Sequence, residues 1–227
     1  MRKSRALWVL SAAAMLPAAA AGQGFGLGVK AGTVGIGVEG AVALGSLVNL
    51  RAGGALLPFS FDATLEDIDW TVDLPSSYLQ VGLDLYPTGG GFRIMGGLLY
   101  KPDEATIEAN LTQSENIGGE DYTPQEIGTL TGSIESSSLA PFIGIGFGKH
   151  TSPGLGFFFD LGAAFLGEPE LTLDAEGGTL SENGDFRARL EQERVRVQEE
   201  MQNDEFPQRL LKLWPLAQVG LRIGLGG

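Results

Sequence analysis

The chain has 227 residues with no cysteine and one histidine, and its 15 Lys and Arg stand against 28 Asp and Glu, a formal net charge of −13. That excess of acid leaves nothing to neutralise phosphates and excludes nucleic acid as a partner. The lack of cysteine excludes a disulfide framework, so stability must come from backbone pairing and packing.

Met1–Ala21 reads as a signal peptide: Arg2, Lys3 and Arg5 form a basic head, Ala6–Leu16 a short apolar run, and Ala18–Ala21 small-residue cleavage sites. The run falls short of the ~20 residues a spanning helix needs. Residues 22–227 then form one secreted domain, with 12 basic residues once those three are removed against 28 acidic, or −16.

Eight strand segments follow: Gly24–Ala31, Val34–Ala43, Val48–Phe61, Trp70–Tyr86, Phe92–Lys101, Thr131–Gly148, Leu155–Leu173 and Leu210–Leu225. The clearest pair is the hairpin VGLDLYP-TGGG-FRIMGGLLY (Val81–Tyr100), where apolar residues alternate with glycine or charge at a period of two. Apart from the tight first turn, short and long connections alternate. The longest are the polar segments Pro102–Leu130 and Asp174–Pro207. Tight turns on one side and extended loops on the other are the asymmetry of an outer-membrane barrel, and an even strand number puts both termini in the periplasm.

Pro58, Pro75, Pro102, Pro169 and Pro215 fall toward the outer rim, whereas Pro141 lies inside the sixth segment and predicts a late start or a bulge there. Tyr86, Phe92 and Phe147 near the short turns, and Phe61, Trp70, Tyr100 and Trp214 near the long loops, suit two aromatic girdles. In the last long loop, Phe186–Asn203 reads as a helix. Asp185 is its expected cap, Arg187–Glu191, Arg189–Glu193 and Arg196–Glu200 are i,i+4 pairs, and the narrow stripe Phe186, Leu190, Val197 and Met201 is expected to pack on the barrel rim.

Alternation alone does not say which face points inward, and a soluble lipocalin-like barrel would turn its apolar face in. The second face here is mostly glycine with a few charges of both signs, which suits the cramped lumen of an eight-stranded barrel rather than a solvated surface. The fold expected is therefore all-β: an eight-stranded antiparallel up-and-down transmembrane barrel with a short helix in the last extracellular loop. On the inward phase lie Lys30, Glu39, Arg51, Asp84, Arg93, Asp160 and Arg222. Lone charges in a narrow interior are costly, so these are expected to pair across strands, Asp84 with Arg93 and Asp160 with Arg51 or Arg222.

The segments KAGTVGIGVE (Lys30–Glu39), DLYPTGGGFR (Asp84–Arg93), APFIGIGFG (Ala140–Gly148) and DLG (Asp160–Gly162) resemble the eight-stranded outer-membrane proteins of the OmpA/OmpX type. The resemblance covers most of residues 22–227 and implies fold and location without a shared activity. The chain departs from that pattern by ending LRIGLGG rather than on an aromatic residue.

Chemistry motifs are sparse. His150, in a short turn with no second histidine, reads as an exposed turn residue, and the glycine runs open no helix after a buried strand as a phosphate loop would. No catalytic, cofactor or metal residue stands out. The expected role is non-enzymatic, with a plugged polar lumen and a structural or surface-interaction part for the acidic loops 102–130 and 174–207. The expected partners are outer-membrane lipid and lipopolysaccharide, together with an extracellular partner at those loops. The alternatives are a small-ligand or lipid-binding barrel, lipocalin-like and periplasmic, and a lipid-modifying outer-membrane enzyme.

Overall fold

The computed structural model describes residues 24–65, 68–202 and 212–225. The signal segment, Pro207 and the start of the last expected strand lie outside them. Among the described residues fifteen strands and two helices follow in chain order: β1 Phe25–Gly32, β2 Gly35–Ala43, β3 Val48–Leu56, β4 Ser60–Leu65, β5 Ile68–Asp73, β6 Ser77–Leu85, β7 Phe92–Tyr100, β8 Ala105–Asn110, β9 Glu115–Ile117, β10 Glu120–Tyr122, α1 Pro124–Ile127, β11 Gly128–Glu135, β12 Leu139–Phe147, β13 Gly154–Phe165, β14 Glu170–Gly177, α2 Gly184–Gln202 and β15 Leu213–Gly224.

Eight of these close an antiparallel barrel in the order β1-β15-β13-β12-β7-β6-β3-β2. Closure follows from the alternation. Each barrel strand has one face of glycine, small and charged residues that fits inside and one of Leu, Ile, Val and Phe that stays outside, and a closed barrel leaves no edge unpaired. The outside is bare apolar surface: Ile36 is 75% exposed and Phe157 78%, and Val29, Val38, Leu83, Ile94, Ile143, Ile145, Leu161 and Leu221 lie on the same belt. Water would not tolerate so continuous a belt, whereas hydrocarbon requires it. A single-chain barrel with an even strand number and a lipid-facing apolar band has the build of an outer-membrane protein. None of the described helices is long and apolar enough to cross a membrane, so strands do the crossing.

Four of the expected strands are each two. Val48–Phe61 breaks at Leu57–Phe59, Trp70–Tyr86 at Leu74–Ser76, Thr131–Gly148 at Ser136–Ser138 and Leu155–Leu173 at Leu166–Pro169. Three of these breaks carry Pro58, Pro75 or Pro169, and Pro102 opens the break between β7 and β8. Beyond the breaks a second sheet runs β14-β11-β8-β5-β4, the same lateral order as the barrel strands β13, β12, β7, β6 and β3 that feed it. It therefore stands as a wall on five neighbouring staves of the barrel, at the end away from the short turns. Much of Pro102–Leu130, expected as loop, is thus β8, the β9-β10 hairpin, α1 and the start of β11.

Pro141 neither delays nor bulges β12. Its pairing with β7 is continuous, Pro141↔Leu98 included, and the ladder to β13 begins one residue later at Phe142↔Ala164. The missing N–H therefore falls at the margin of one ladder rather than in the middle of two.

The wall has its own core. Ala109, Leu130 and Ala175 stand in one row across β8, β11 and β14. They pack with Ile117, Tyr122, Ile127, Phe186 and Leu190 from the hairpin and the two helices. The stripe of α2 thus meets the wall rather than the barrel rim, while the Met201 side chain lies outside the description. The N-cap of α2 is Asn183, whose Oδ1 accepts from the N–H groups of Asp185 and Phe186, and not Asp185. Of the expected intrahelical pairs only Arg196–Glu200 forms, at 3.9 Å. Arg187 turns back to Glu182 and Arg189 reaches across to Glu120 on β10, because tertiary partners lie nearer. On α1, the N–H and hydroxyl of Thr123 donate to Glu126 and hold its carboxyl below the usual range.

Candidate functional site: the lumen and its charges

Glycine sets the interior geometry. Gly146 on β12 is registered with Arg93 on β7 and with Asp160 on β13, and it carries no side chain to separate them. A Cβ there would stand 2.3 Å from Asp160 Oδ1 and 2.8 Å from Arg93 Nε. Gly144 makes the same room for Met95, and Gly82 and Gly97 for the Phe142 ring. At these positions the bare backbone leaves room for a long side chain to cross the lumen, whereas at Gly26, Gly37 and Gly162 a Cβ would meet neighbouring backbone instead.

Six of the seven charges named from the sequence meet there, all buried. Arg51 Nη1 lies 2.6 Å from Asp160 Oδ2 and 3.5 Å from Glu39, and Arg51 Nη2 lies 3.2 Å from Asp84. Arg93 binds Asp160 from the other side and also donates to the Gly148 carbonyl. Lys30 Nζ is 3.2 Å from Glu39 and donates to Gln80 Oε1 across the barrel at 2.8 Å. Three cations and three anions thus form one connected group.

Of the pairings expected, Asp160 takes Arg51, and Asp84 and Arg93 pair at 3.7 Å, although each has a nearer partner. The register places Asp84 opposite Met95, one step from Arg93, while the bare Gly146 opens the way from Arg93 to Asp160. Arg222 stands apart, half-buried, with no ion pair among the described residues. Its guanidinium donates to the carbonyls of Ser152 at 2.5 Å and Gly154 at 3.3 Å and so ties the last strand to the β12–β13 turn.

Further corrections concern the lumen ends and the girdles. His150 is buried rather than exposed: its turn folds into the periplasmic mouth, where Nε2 meets Glu39 and the ring packs on Phe158 at 4.5 Å. Tyr86, expected in a girdle, is wholly buried and accepts from Asn49 Nδ2. Trp214 turns inward onto Tyr78 at 5.8 Å, and Trp70 packs against the core of the wall. Phe92, Phe147, Tyr100 and Phe61 are exposed. Period-two alternation assigns a face but not the direction of a residue in a turn, which is why His150 and Tyr86 escaped it.

Toward the outer end the interior becomes apolar. Val34, Tyr78, Met95, Leu99, Phe142, Ala164, Leu166 and Leu216 form one packed cluster with Leu57 and Trp214 against it. Lys101, just beyond Leu99 and Tyr100, is buried and pairs with Glu104 while donating to the Ser136 carbonyl. No group of described residues has the makings of a metal site.

Comparison with known proteins returns no matching family model and no matching curated protein. Solved structures do match. CarO2 of Acinetobacter baumannii superposes with a TM-score of 0.57 at 19% identity, over 88% of this chain and 98% of that one. CarO of Acinetobacter baumannii gives 0.53 at 20% identity, over 87% and 96%. At such identities the likeness is one of fold: an eight-stranded barrel with a similar course over nearly its whole length.

Proposed function

We propose that the chain is a non-enzymatic outer-membrane protein, a barrel with a filled lumen whose role is structural or in surface interaction through its acidic outer part. The observation that supports this most directly is the filling of the interior, with ion-paired side chains in the periplasmic half and packed apolar ones in the outer half. The two layers close the lumen by different means, so opening it would require stranding buried charges and unpacking aromatics together. Outer-membrane lipid and lipopolysaccharide are its surroundings, and the segments 102–130 and 174–207 carry the surface that others would meet.

The lipocalin-like alternative needs an apolar interior and a wet exterior, the reverse of the belt seen here. The lipid-modifying reading needs a histidine near the outer leaflet. The one histidine of the chain is held by Glu39 at the periplasmic end, and we expect no acyl transfer or lipid hydrolysis from it. Planar-bilayer recording tests the closed lumen. The expected trace has no steady conductance in the wild type, and a steady open level would overturn the reading.

A further inference from the structure

The turn between β12 and β13, residues 148–153, bends inward across the periplasmic mouth instead of following the rim. It reaches strands on every side of that mouth. Lys149 Nζ donates to the Ser46 carbonyl at 3.1 Å and stands 5.4 Å from the centre of the Tyr86 ring. His150 meets Glu39 on β2, and Thr151 Oγ1 accepts from Asn49 on β3 at 3.4 Å. The carbonyls of Gly148 and Ser152 accept from Arg93 on β7 and Arg222 on β15. His150 and Thr151 are buried as a result.

The seat of this turn is bare backbone on the two strands that close the barrel. A Cβ on Gly26 of β1 would fall on the His150 carbonyl, one on Gly224 of β15 on the Ser152 carbonyl, and one on Gly24 would press on Thr151. At all three positions the nearest atoms belong to the turn, so these glycines make room for it rather than for barrel packing. Glycine also stands at both of its ends, Gly148 with φ +104° and Gly154 with φ +82°. Only glycine takes such angles freely, so the segment has a swivel on either side.

We propose that residues 148–153 are a hinged strap that lifts as a unit and admits periplasmic water and small solutes to the ion-paired layer and no further. The proposal rests on the outer-membrane reading above for its sidedness and goes beyond the filled lumen, of which the strap is the movable part. The energetics favour separate opening. Asn49 Oδ1, His150 Nδ1 and both oxygens of Asp84 are buried beneath the strap without a hydrogen-bond partner, although Arg51 and Arg93 lie 3.2 and 3.7 Å from Asp84. Lifting the strap would let solvent reach these atoms, and it would strand no charge. Glu39 keeps Lys30 and Arg51, and Arg93 keeps Asp160. Local opening is cheap where solvent takes up the groups released. The next layer outward is different, because Tyr78, Met95, Leu99 and Phe142 are held by apolar packing that water does not replace.

Because the chain has no cysteine, single thiols report the opening. Thr151→Cys on the strap, Thr88→Cys in the exposed β6–β7 turn and Ala164→Cys in the apolar layer are folded in detergent micelles and treated with a charged methanethiosulfonate. Thr151→Cys should react about tenfold or more slowly than Thr88→Cys, through local opening, while Ala164→Cys stays inert until the sample is boiled. Adding Gly26→Ala, whose methyl takes the place of the His150 carbonyl, should bring Thr151→Cys to the rate of Thr88→Cys. Ala164→Cys should remain protected in that background, and a planar bilayer should still show no steady conductance. Gly224→Ala should act in the same way and replaces Gly26→Ala if that variant does not fold. Thr151→Cys as inert as Ala164→Cys would show that the strap does not lift. Thr151→Cys as fast as Thr88→Cys without the added alanine would show that it does not close. Either result overturns the proposal, as would exposure of Ala164→Cys together with Thr151→Cys, since the opening would then be unfolding of the barrel. A mobility shift on boiling, read on the same samples, reports the folded barrel separately, so failure of the outer-membrane reading would show as its loss.

Discussion

Asp160 is the residue on which the interior group turns, because it is wholly buried and accepts from both Arg51 and Arg93. Asp160→Asn should cost about 3–5 kcal/mol of unfolding free energy in detergent or lipid, since it leaves two buried guanidinium groups short of counter-charge. In a double-mutant cycle, Arg93→Met with Asp160→Leu should cost less than the sum of the single changes. Additive effects would show that the pair is not coupled. Arg222→Ala should cost far less, because that side chain only ties down turn carbonyls. Gly146→Ala tests the spacing: the new methyl would press on both ions, and about 1–3 kcal/mol of overpacking is expected. His150→Ala should lower stability by roughly 1–3 kcal/mol, through the partner it takes from buried Glu39, which keeps Lys30 and Arg51, without removing any lipid-modifying activity.

At the scale of elements, α2 protects a sheet edge. Gln198 donates to the Pro169 carbonyl and accepts from the Leu171 N–H, and Arg194 donates to the Leu171 carbonyl. The helix thus covers backbone groups that β14, at the margin of the wall, leaves without a strand partner. Gln198→Ala should speed amide exchange at Leu171 while sparing the barrel strands. Asn183→Ala should loosen α2 by about 1 kcal/mol through loss of its cap, read as faster exchange over its first turn. The barrel strands were legible in the sequence because each has a strong period of two with one apolar face, and α2 because a narrow apolar stripe runs through closely spaced opposite charges. The wall was not. Its strand Ala105–Asn110, the β9–β10 hairpin and the first three residues of Gly128–Glu135 fall in a run whose acids and threonines look like loop when taken without their partners. The others merge in sequence with the barrel strands they extend. The inward charges were legible for the same reason as the strands, whereas their pairing depended on register, which sequence left open by one step between Asp84 and Arg93.

For the molecule as a whole, the belt and the closed barrel predict a form that resists denaturing detergent until heated. The folded protein should therefore migrate differently before and after boiling and sediment with outer membranes. Recovery of folded protein in a periplasmic extract without detergent would contradict this. The wall stands on five of eight barrel strands, while the β1–β2 turn is tight, so the outer surface is tall on one side and low on the other.

The seam between the first and last strands has a consequence in time. Gly26 pairs with Gly224 and Gly32 with Gln218, contacts between opposite ends of the chain, which are slow to form because the whole loop between them must be ordered first. Until β15 arrives, β1 and β13 each expose a row of unpaired backbone groups, and an unfinished barrel is an adhesive object. Arg51 on β3 and Asp160 on β13 cannot meet across the lumen until the circle is nearly drawn, so the ion group acts as a latch on closure rather than a seed for it. A chain shortened before Leu213 should accumulate as an assembly-arrested, chaperone-dependent species. The same substitutions that weaken the latch should speed unfolding more than they slow folding.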